Sequence, residues 1–343
     1  MTWAPLLLAD PSPSLRLLVL SELLNKGDSD EANELRRIRY SDPLIAEIVK
    51  LQKSDGSWGK DDISSSSPGS NIQITAQTLT RLGYLGLGPD DSTVRRGAEY
   101  LFSEQIDDGS WPLGSYSTDA EGDVNYDTMS LQTSLPLRGL ATCGYSTDPR
   151  AEEAYKWLLN QRIEDGSWPT GIAEGNYGRV AGYRRLPHSR WGCRSNTTSA
   201  LTCLSLHPER RHSPEARRAL DLVLSRETRE RHNLGFEVAR IIGAEKSTGF
   251  LTYYARFDMA HMLELCWRVG APLEDPRVAD LVSYIRSHQG SYGVWEYLPK
   301  PQASRWVTFD ILRSLSRLGE DTDWTPSEPR TPFQPYPRKR KRY

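Results

Sequence analysis

Gln52-Lys53-Ser54-Asp55-Gly56-Ser57-Trp58 is the stretch that decides the fold, because the chain writes it again. It returns as QIDDGSW at Gln105–Trp111 and as QRIEDGSW at Gln161–Trp168, and a degenerate copy, QGSYGVW, stands at Gln289–Trp295. The first two tryptophans are 53 residues apart and the next two 57. A period of this size marks a repeat architecture, in which one supersecondary unit stacks on the next. Each copy follows a segment whose apolar residues have helical spacing: DPLIAEIVKLQ from Asp42, DSTVRRGAEYLFSEQ from Asp91, DPRAEEAYKWLLNQ from Asp148. Aspartate opens each one, as a helix N-cap should. The Asp-Gly pair then ends the helix, with Gly taking the left-handed conformation of a cap or tight turn. Trp packs back, and Gln is free to bond backbone groups of the next helix. The phrase therefore reads as a structural device rather than a catalytic one.

Between these segments lie less charged, more apolar helices: from Asn71, Tyr126, Cys193, Phe257 and Ser304, with a sixth from Ser14. Outer helices from Ser213 and Asp275 complete the alternation. The expectation is an all-α, (α/α)6 toroid of helical hairpins, with the less charged helices forming the inner ring. Residues 1–325 form one toroid domain on this reading, and 326–343 a Pro-rich, basic tail ending PRKRKRY, loosely packed or disordered. Such a tail offers weak peripheral contact with an anionic membrane as an alternative to plain solvation.

The chain has 343 residues, 37% of them apolar, and a formal net charge of -2, the profile of a globular protein with no basic excess for nucleic acid. No apolar run is long enough to span a membrane, and the first twenty residues lack the basic start and apolar core of a signal peptide. Cys143, Cys193, Cys203 and Cys266 are irregularly spaced, so reduced thiols and a cytoplasmic location are expected. Ten Trp and sixteen Tyr against six Phe fit an aromatic-lined cavity, and fit ordinary packing as well.

Together the phrases at the ends of alternate helices resemble the QW repeats of squalene–hopene cyclases and the repeats of protein prenyltransferase β subunits. The resemblance runs from about Leu51 to about Leu318 and implies the terpenoid cyclase/protein prenyltransferase toroid superfamily. It is specific for the fold and unspecific for the reaction, since polysaccharide lyases also use such toroids. Class II terpene cyclases protonate an alkene with the middle acid of a DxDD motif. At the matching helix start this chain has Val124-Asn125-Tyr126-Asp127-Thr128, where only Asp127 survives and Tyr126 stands in the place of the proton donor. No DDxxD is present, so magnesium-dependent ionisation has no support. The prenyltransferases bind zinc through Asp, Cys and His. Here Asp258 and His261 lie three apart on one helix and Cys193 begins the preceding inner helix, but the family spacing is not reproduced. No cofactor is therefore expected; zinc, on those three residues, or magnesium is the alternative.

Connections from outer to inner helices are long, for example 112–125, 169–192 and 228–256, and long loops carry function. They deliver the chain to the N-termini of inner helices, whose free N–H groups favour an anion. That end of the ring is the expected mouth. Its residues are Gln73, Gln77, Asp123, Tyr126, Asp127, Arg190, Trp191, Cys193, Arg194, Tyr253, Tyr254, Asp258, His261, Arg305, Trp306 and Asp310. The expected roles are acid or base for Asp127 or Asp258, assistance from Tyr126 and His261, and ligand binding by Gln73, Gln77, Arg190, Trp191, Arg194, Tyr254, Arg305 and Trp306. Helix capping is the alternative role for Asp127 and Asp258. The resulting expectation is an isoprenoid-handling, terpene-cyclase-like enzyme without an intact DxDD, acting on a polyprenyl chain or its diphosphate. A non-catalytic lipid- or protein-binding toroid, and a polysaccharide lyase or hydrolase, are the rivals.

Overall fold

A computed structural model describes residues 3–59, 71–111, 130–169, 186–225, 233–245 and 257–319, with the backbone alone of 116–118 and 124–126. In chain order the elements are α1 (Ala4–Leu8), α2 (Pro13–Leu18, continued by a π-helical turn Val19–Leu23), α3 (Asp30–Ile38), α4 (Pro43–Lys50), α5 (Asn71–Tyr84) and α6 (Ser92–Ser103). A short pair, β1 (Tyr116–Thr118) and β2 (Val124–Tyr126), precedes α7 (Ser130–Thr142), α8 (Pro149–Asn160), α9 (Arg194–Leu206) and α10 (Pro214–Leu224). Then come α11 (Phe236–Ile241), α12 (Met259–Val269), α13 (Pro276–Ser287) and α14 (Ser304–Arg317).

Inner helices pack in order around a ring: α5 on α7, α7 on α9, α9 on α12, α12 on α14, and α14 on the π turn that follows α2. Trp306 of α14 meets Tyr84 of α5 with ring centroids 6.0 Å apart, which closes the circle. Helices α6, α8, α10 and α13 back α5, α7, α9 and α12 from outside. This is the (α/α)6 toroid. Burial follows the layer. On α7 every residue from Ser130 to Ala141 is buried, whereas α6 buries only the stripe Thr93, Val94, Gly97, Ala98, Leu101 and Phe102.

The repeated phrase forms the same turn each time. The indole Nε1 of Trp58, Trp111, Trp168 and Trp295 donates to the carbonyl ten residues earlier, on Ile48, Leu101, Leu158 and Ile285, at 2.6–2.8 Å. The backbone N–H of each Trp donates to a threonine hydroxyl on the inner helix that follows: Thr75, Thr133, Thr197 and Thr308. All four indoles are fully buried. Gln52 and Gln105 each bridge their own turn to the next outer helix, donating to Gly56 O and Thr93 O, and to Gly109 O and Arg150 O. In the third copy Arg162 holds that place and donates through Nε to Gly166 O at 3.2 Å. The turn glycines have φ near +90°, for example +91° at Gly109, where a Cβ would also sit 2.6 Å from the backbone of Glu153. Outer helices open as their sequence requires, with Asp42, Asp91, Asp148, Ser213 and Asp275 accepting first-turn N–H groups.

Two features depart from the sequence reading. Tyr126 does not start an inner helix: it ends β2, paired with Tyr116, and α7 begins at Ser130. The stretch 228–256, read as a loop, contains α11, which lies inside the ring and touches α5, α12 and α14. No helix among the described residues is long and apolar enough to cross a membrane. All four cysteines are buried and none is in a disulfide. The tail 326–343 lies outside the described residues.

Candidate functional site

A cavity of about 390 Å³ lies at the hub of the ring. Its wall runs along the inner helices toward their C-terminal ends: Thr80 and Tyr84 on α5, Arg138 on α7, Thr202 on α9, His261 in the first turn of α12 with Glu264 and Arg268 beyond it, and Asp310 at the middle of α14 with Arg313 and Arg317 beyond it. Glu22 of the π turn and Glu237 of α11 complete it. The expected mouth was the opposite end, at the helix N-termini. The described cavity instead sits under the short inner-to-outer connections, one of which supplies Gly86. Its lining is also charged rather than aromatic, with Tyr84 and Trp267 the aromatic side chains on it.

The charges are tied into one network. Glu237 accepts from Arg138 through a short ion pair and from Arg240 at 2.7 Å. Glu264 accepts from Arg268 Nε at 2.8 Å and faces His261 Nδ1 at 3.3 Å, with Arg313 3.6 Å away. Arg313 closes a short pair with Asp310, and Glu22 takes Arg317 at 3.0 Å. On the other side of the imidazole, the Thr202 hydroxyl donates its one hydrogen to Thr198 O at 2.8 Å, so its oxygen accepts from His261 Nε2 at 3.0 Å.

Burial works against every carboxylate here, and the neighbours decide the result. For Glu237 burial is opposed by Arg240, Arg138 and His261, which bring the carboxyl down to about 2. For Glu264 burial is again outweighed, by Arg268, the His261 hydrogen bond and Arg313, and it stays well below the usual range. Asp310 goes the other way: burial, reinforced by the charge of Glu264, outweighs Arg313 and His261 and pushes it up to about 7. Burial also raises the Tyr84 phenol, with Asp310 adding to the effect.

Of the residues expected at the site, His261, Asp310 and, through a tilted ring contact with Tyr84 of its wall, Trp306 reach or adjoin the cavity. Gln73 and Gln77 lie on α5 and share a face with Thr80 and Tyr84. Asp258 is a clasp rather than an acid facing the cavity. Its Oδ1 accepts from the backbone N–H of Gly235 and Ala260 at 2.9 and 3.0 Å, and its Oδ2 from that of Glu237 at 2.6 Å. It thereby caps α12 and pins α11 into the ring, and burial raises its pKa against those bonds. Arg305 turns outward to Asp10, 3.1 Å away. Arg190 is exposed and stacks over Trp191 at 4.8 Å, and Arg194 lies 5.9 Å over the Phe257 ring. Among the described residues no group of three His, Cys, Asp or Glu side chains is placed to hold a metal ion, so Cys193, Asp258 and His261 do not assemble one. Asp123, Asp127, Tyr253 and Tyr254 lie outside the described residues, as does the side chain of Tyr126. Tyr84, Arg138, Glu237, Glu264 and Arg313 were missed. The available signal was charge at i, i+3 and i, i+4 in helices that are otherwise apolar.

Residues 19–185 match the family described as the squalene-hopene cyclase C-terminal domain. Over that stretch, just under half of its length, the chain resembles the squalene–hopene-cyclase-type repeat proteins of the α/α-toroid superfamily. It is 29% identical over 151 residues to a probable squalene–hopene cyclase of Sinorhizobium fredii, a stretch covering 41% of this chain and 22% of that protein. To the squalene–hopene cyclase of Zymomonas mobilis it is 26% identical over 147 residues, covering 40% and 21%. This repeat protein thus spans about a fifth of the length of the curated relatives it matches. A type II terpene cyclase from Scytonema, solved with merosterolic acid A, is 15% identical, with 80% of this chain and 94% of that one covered and a TM-score of 0.31.

Proposed function

We propose that this toroid is an isoprenoid-handling enzyme of the terpene-cyclase kind, and that it acts by proton transfer from Asp310. The observation that carries the reading is a carboxyl only 1% exposed, on the wall of the ring cavity, that holds its proton up to about pH 7. A buried carboxylic acid that stays neutral near working pH is a competent general acid. Its proton would pass to an alkene carbon of the substrate, leaving a carbocation on the neighbouring carbon and a carboxylate held by Arg313. The faces of Tyr84 and Trp267 would stabilise the cation, and loss of a proton at the end of the rearrangement would restore the acid. A volume of about 390 Å³ suits a small isoprenoid.

The test is incubation of the purified protein with squalene and with geranyl, farnesyl and geranylgeranyl diphosphate. A cyclised or rearranged product is expected, carrying one deuterium when formed in deuterium oxide, and Asp310→Asn should abolish it without unfolding the protein. Absence of both product and binding ends the reading. A second reading, a non-catalytic binding toroid, draws on α11 occupying the ring and on the arginine–carboxylate pairing of the cavity wall. It requires ligand binding without turnover, equal in the wild type and in Asp310→Asn.

A further inference from the structure

The hydrogen-bonding groups left over at the cavity are donors. Tyr84 Oη is buried without a partner, and so is Arg313 Nε beside it. Gln77 Nε2, two turns earlier on α5 and outside the cavity lining, is also buried without a partner. Arg313 is fixed in this position, its guanidinium 5.7 Å from the Tyr84 ring centroid and 5.3 Å from that of Phe309. A buried donor without an acceptor costs about 1–3 kcal/mol, so two of them side by side on one hollow call for a ligand that brings oxygen acceptors.

The charge balance points the same way. Arg138 and Arg240 share Glu237, while Arg313 and Arg317 both reach Glu22, at 3.9 and 3.0 Å. Glu264 serves Arg268 and Arg313 and also faces His261. Among the described residues Arg268, Arg313 and Arg317 thus share Glu22, Glu264 and Asp310, and Asp310 is protonated through much of the range below neutral pH. With Asp310 neutral, the described side chains at this end offer three guanidiniums to two carboxylates, besides the unmatched donors of Tyr84 and Arg313. Guanidinium groups match planar or tetrahedral oxyanions with two parallel bonds. Arg317, with its side chain 34% exposed, stands at the rim where such a group would enter.

Taking this cavity as the ligand site, as above, we propose that its C-terminal mouth is an oxyanion subsite in which Tyr84 Oη, Arg313 and Arg317 receive a carboxylate or phosphate group of the ligand. The helix ends that meet there point carbonyls inward and would by themselves repel an anion. The arginines reverse that sign. The subsite lies at the opposite end of the ring from Arg190, Arg194 and Arg305.

Binding can be read without turnover. The full chain is titrated by calorimetry, at fixed ionic strength, with inorganic phosphate, inorganic diphosphate and decanoate. Saturable one-site binding of at least one probe is expected, and the preferred probe tells phosphate from carboxylate. Tyr84→Phe should weaken it about tenfold, the loss of one bond to a charged acceptor, and Arg317→Gln severalfold, with circular dichroism unchanged. Binding of none of the three probes overturns the proposal. So does binding that is unaltered in both variants, or equal affinity for neutral decanol and decanoate. A protein that binds an oxyanion but makes no product keeps this subsite and loses the catalytic reading. One that converts squalene yet binds no oxyanion does the reverse.

Discussion

The rim of the toroid and its hub are built on opposite principles. At the rim one turn is made four times from the same atoms: indole to carbonyl ten residues back, tryptophan N–H to an inner-helix threonine, a glycine at positive φ. At the hub no two wall residues do the same job. Helices α7, α12 and α14 bring charges and α5 and α9 neutral groups, and beside the pairs within one helix others join elements distant in sequence, as Arg138 and Glu237 do across 99 residues. Repetition specifies a closed frame; departure from repetition is where the frame becomes particular to one ligand and one chemistry.

The comparison can be broken most decisively at the tryptophans. Trp58→Ala, Trp111→Ala and Trp168→Ala should each cost about 3–5 kcal/mol in urea denaturation, and near-equal values are the signature of equivalent turns. One value far below the others would show that the frame is not uniform. Next in size is the hub. Arg138→Met leaves Glu237 buried with a single guanidinium partner, and about 3 kcal/mol should be lost. The turn glycines sharpen the contrast within the rim. Gly109→Ala meets the backbone of Glu153 and should cost about 2–3 kcal/mol, whereas Gly166→Ala meets the flexible side chain of Arg218 and should cost less.

A pH titration then separates hub from rim. The folded-state pKa of Asp310, near 7, lies above the unfolded carboxylate value of about 3.9. Its contribution therefore falls as pH rises from about 4 to 7. Glu237 and Glu264 have depressed values, so their contribution is present above about pH 4.3 and is lost on acidification. Asp310→Asn should gain Tm relative to the wild type as pH climbs from 4 to 7, a difference that thermal melts across that range will reveal. Parallel melts would show that Asp310 does not hold its proton. The smallest effect belongs to Arg162→Gln, which restores the residue used in the other copies. Because Arg162 Nε already bonds Gly166 O, stability should move by no more than about 0.5 kcal/mol.

The rim was legible because its parts are local. A helix-period pattern, an Asp or Ser cap, an Asp-Gly stop and a tryptophan all lie within one repeat, and the ring followed from counting them. The hub was not. Asp310 and Arg313, His261 and Glu264, Glu264 and Arg268 are spaced like solvated surface pairs on a helix, and only closure of the ring buries them. Asp258 sat where an acid was wanted, but its position before α12 is an N-cap position, and capping is what it does. Loop length pointed to the N-terminal end, most of whose long loops lie outside the described residues, while the described cavity extends from His261 near that end to Tyr84 and Arg317 at the other. That placement comes from residues spread from the first turn of α12, at His261, to the last turns of α5 and α14, at Tyr84 and Arg317, which no spacing rule distinguishes from core. Helix α11 has six residues, too short to show a period.

That short helix gives the molecule something ordinary repeat arrays lack. A solenoid can gain or shed a unit by unequal recombination, since each neighbour fits any other. Here α11 is an axle cut to the bore of this wheel, keyed by Asp258 at its start and by the Arg138–Glu237 pair along its side. A wheel with one more or one fewer spoke would have a different bore, and the axle would no longer seat. The number of hairpins is thereby locked by a segment that belongs to none of them.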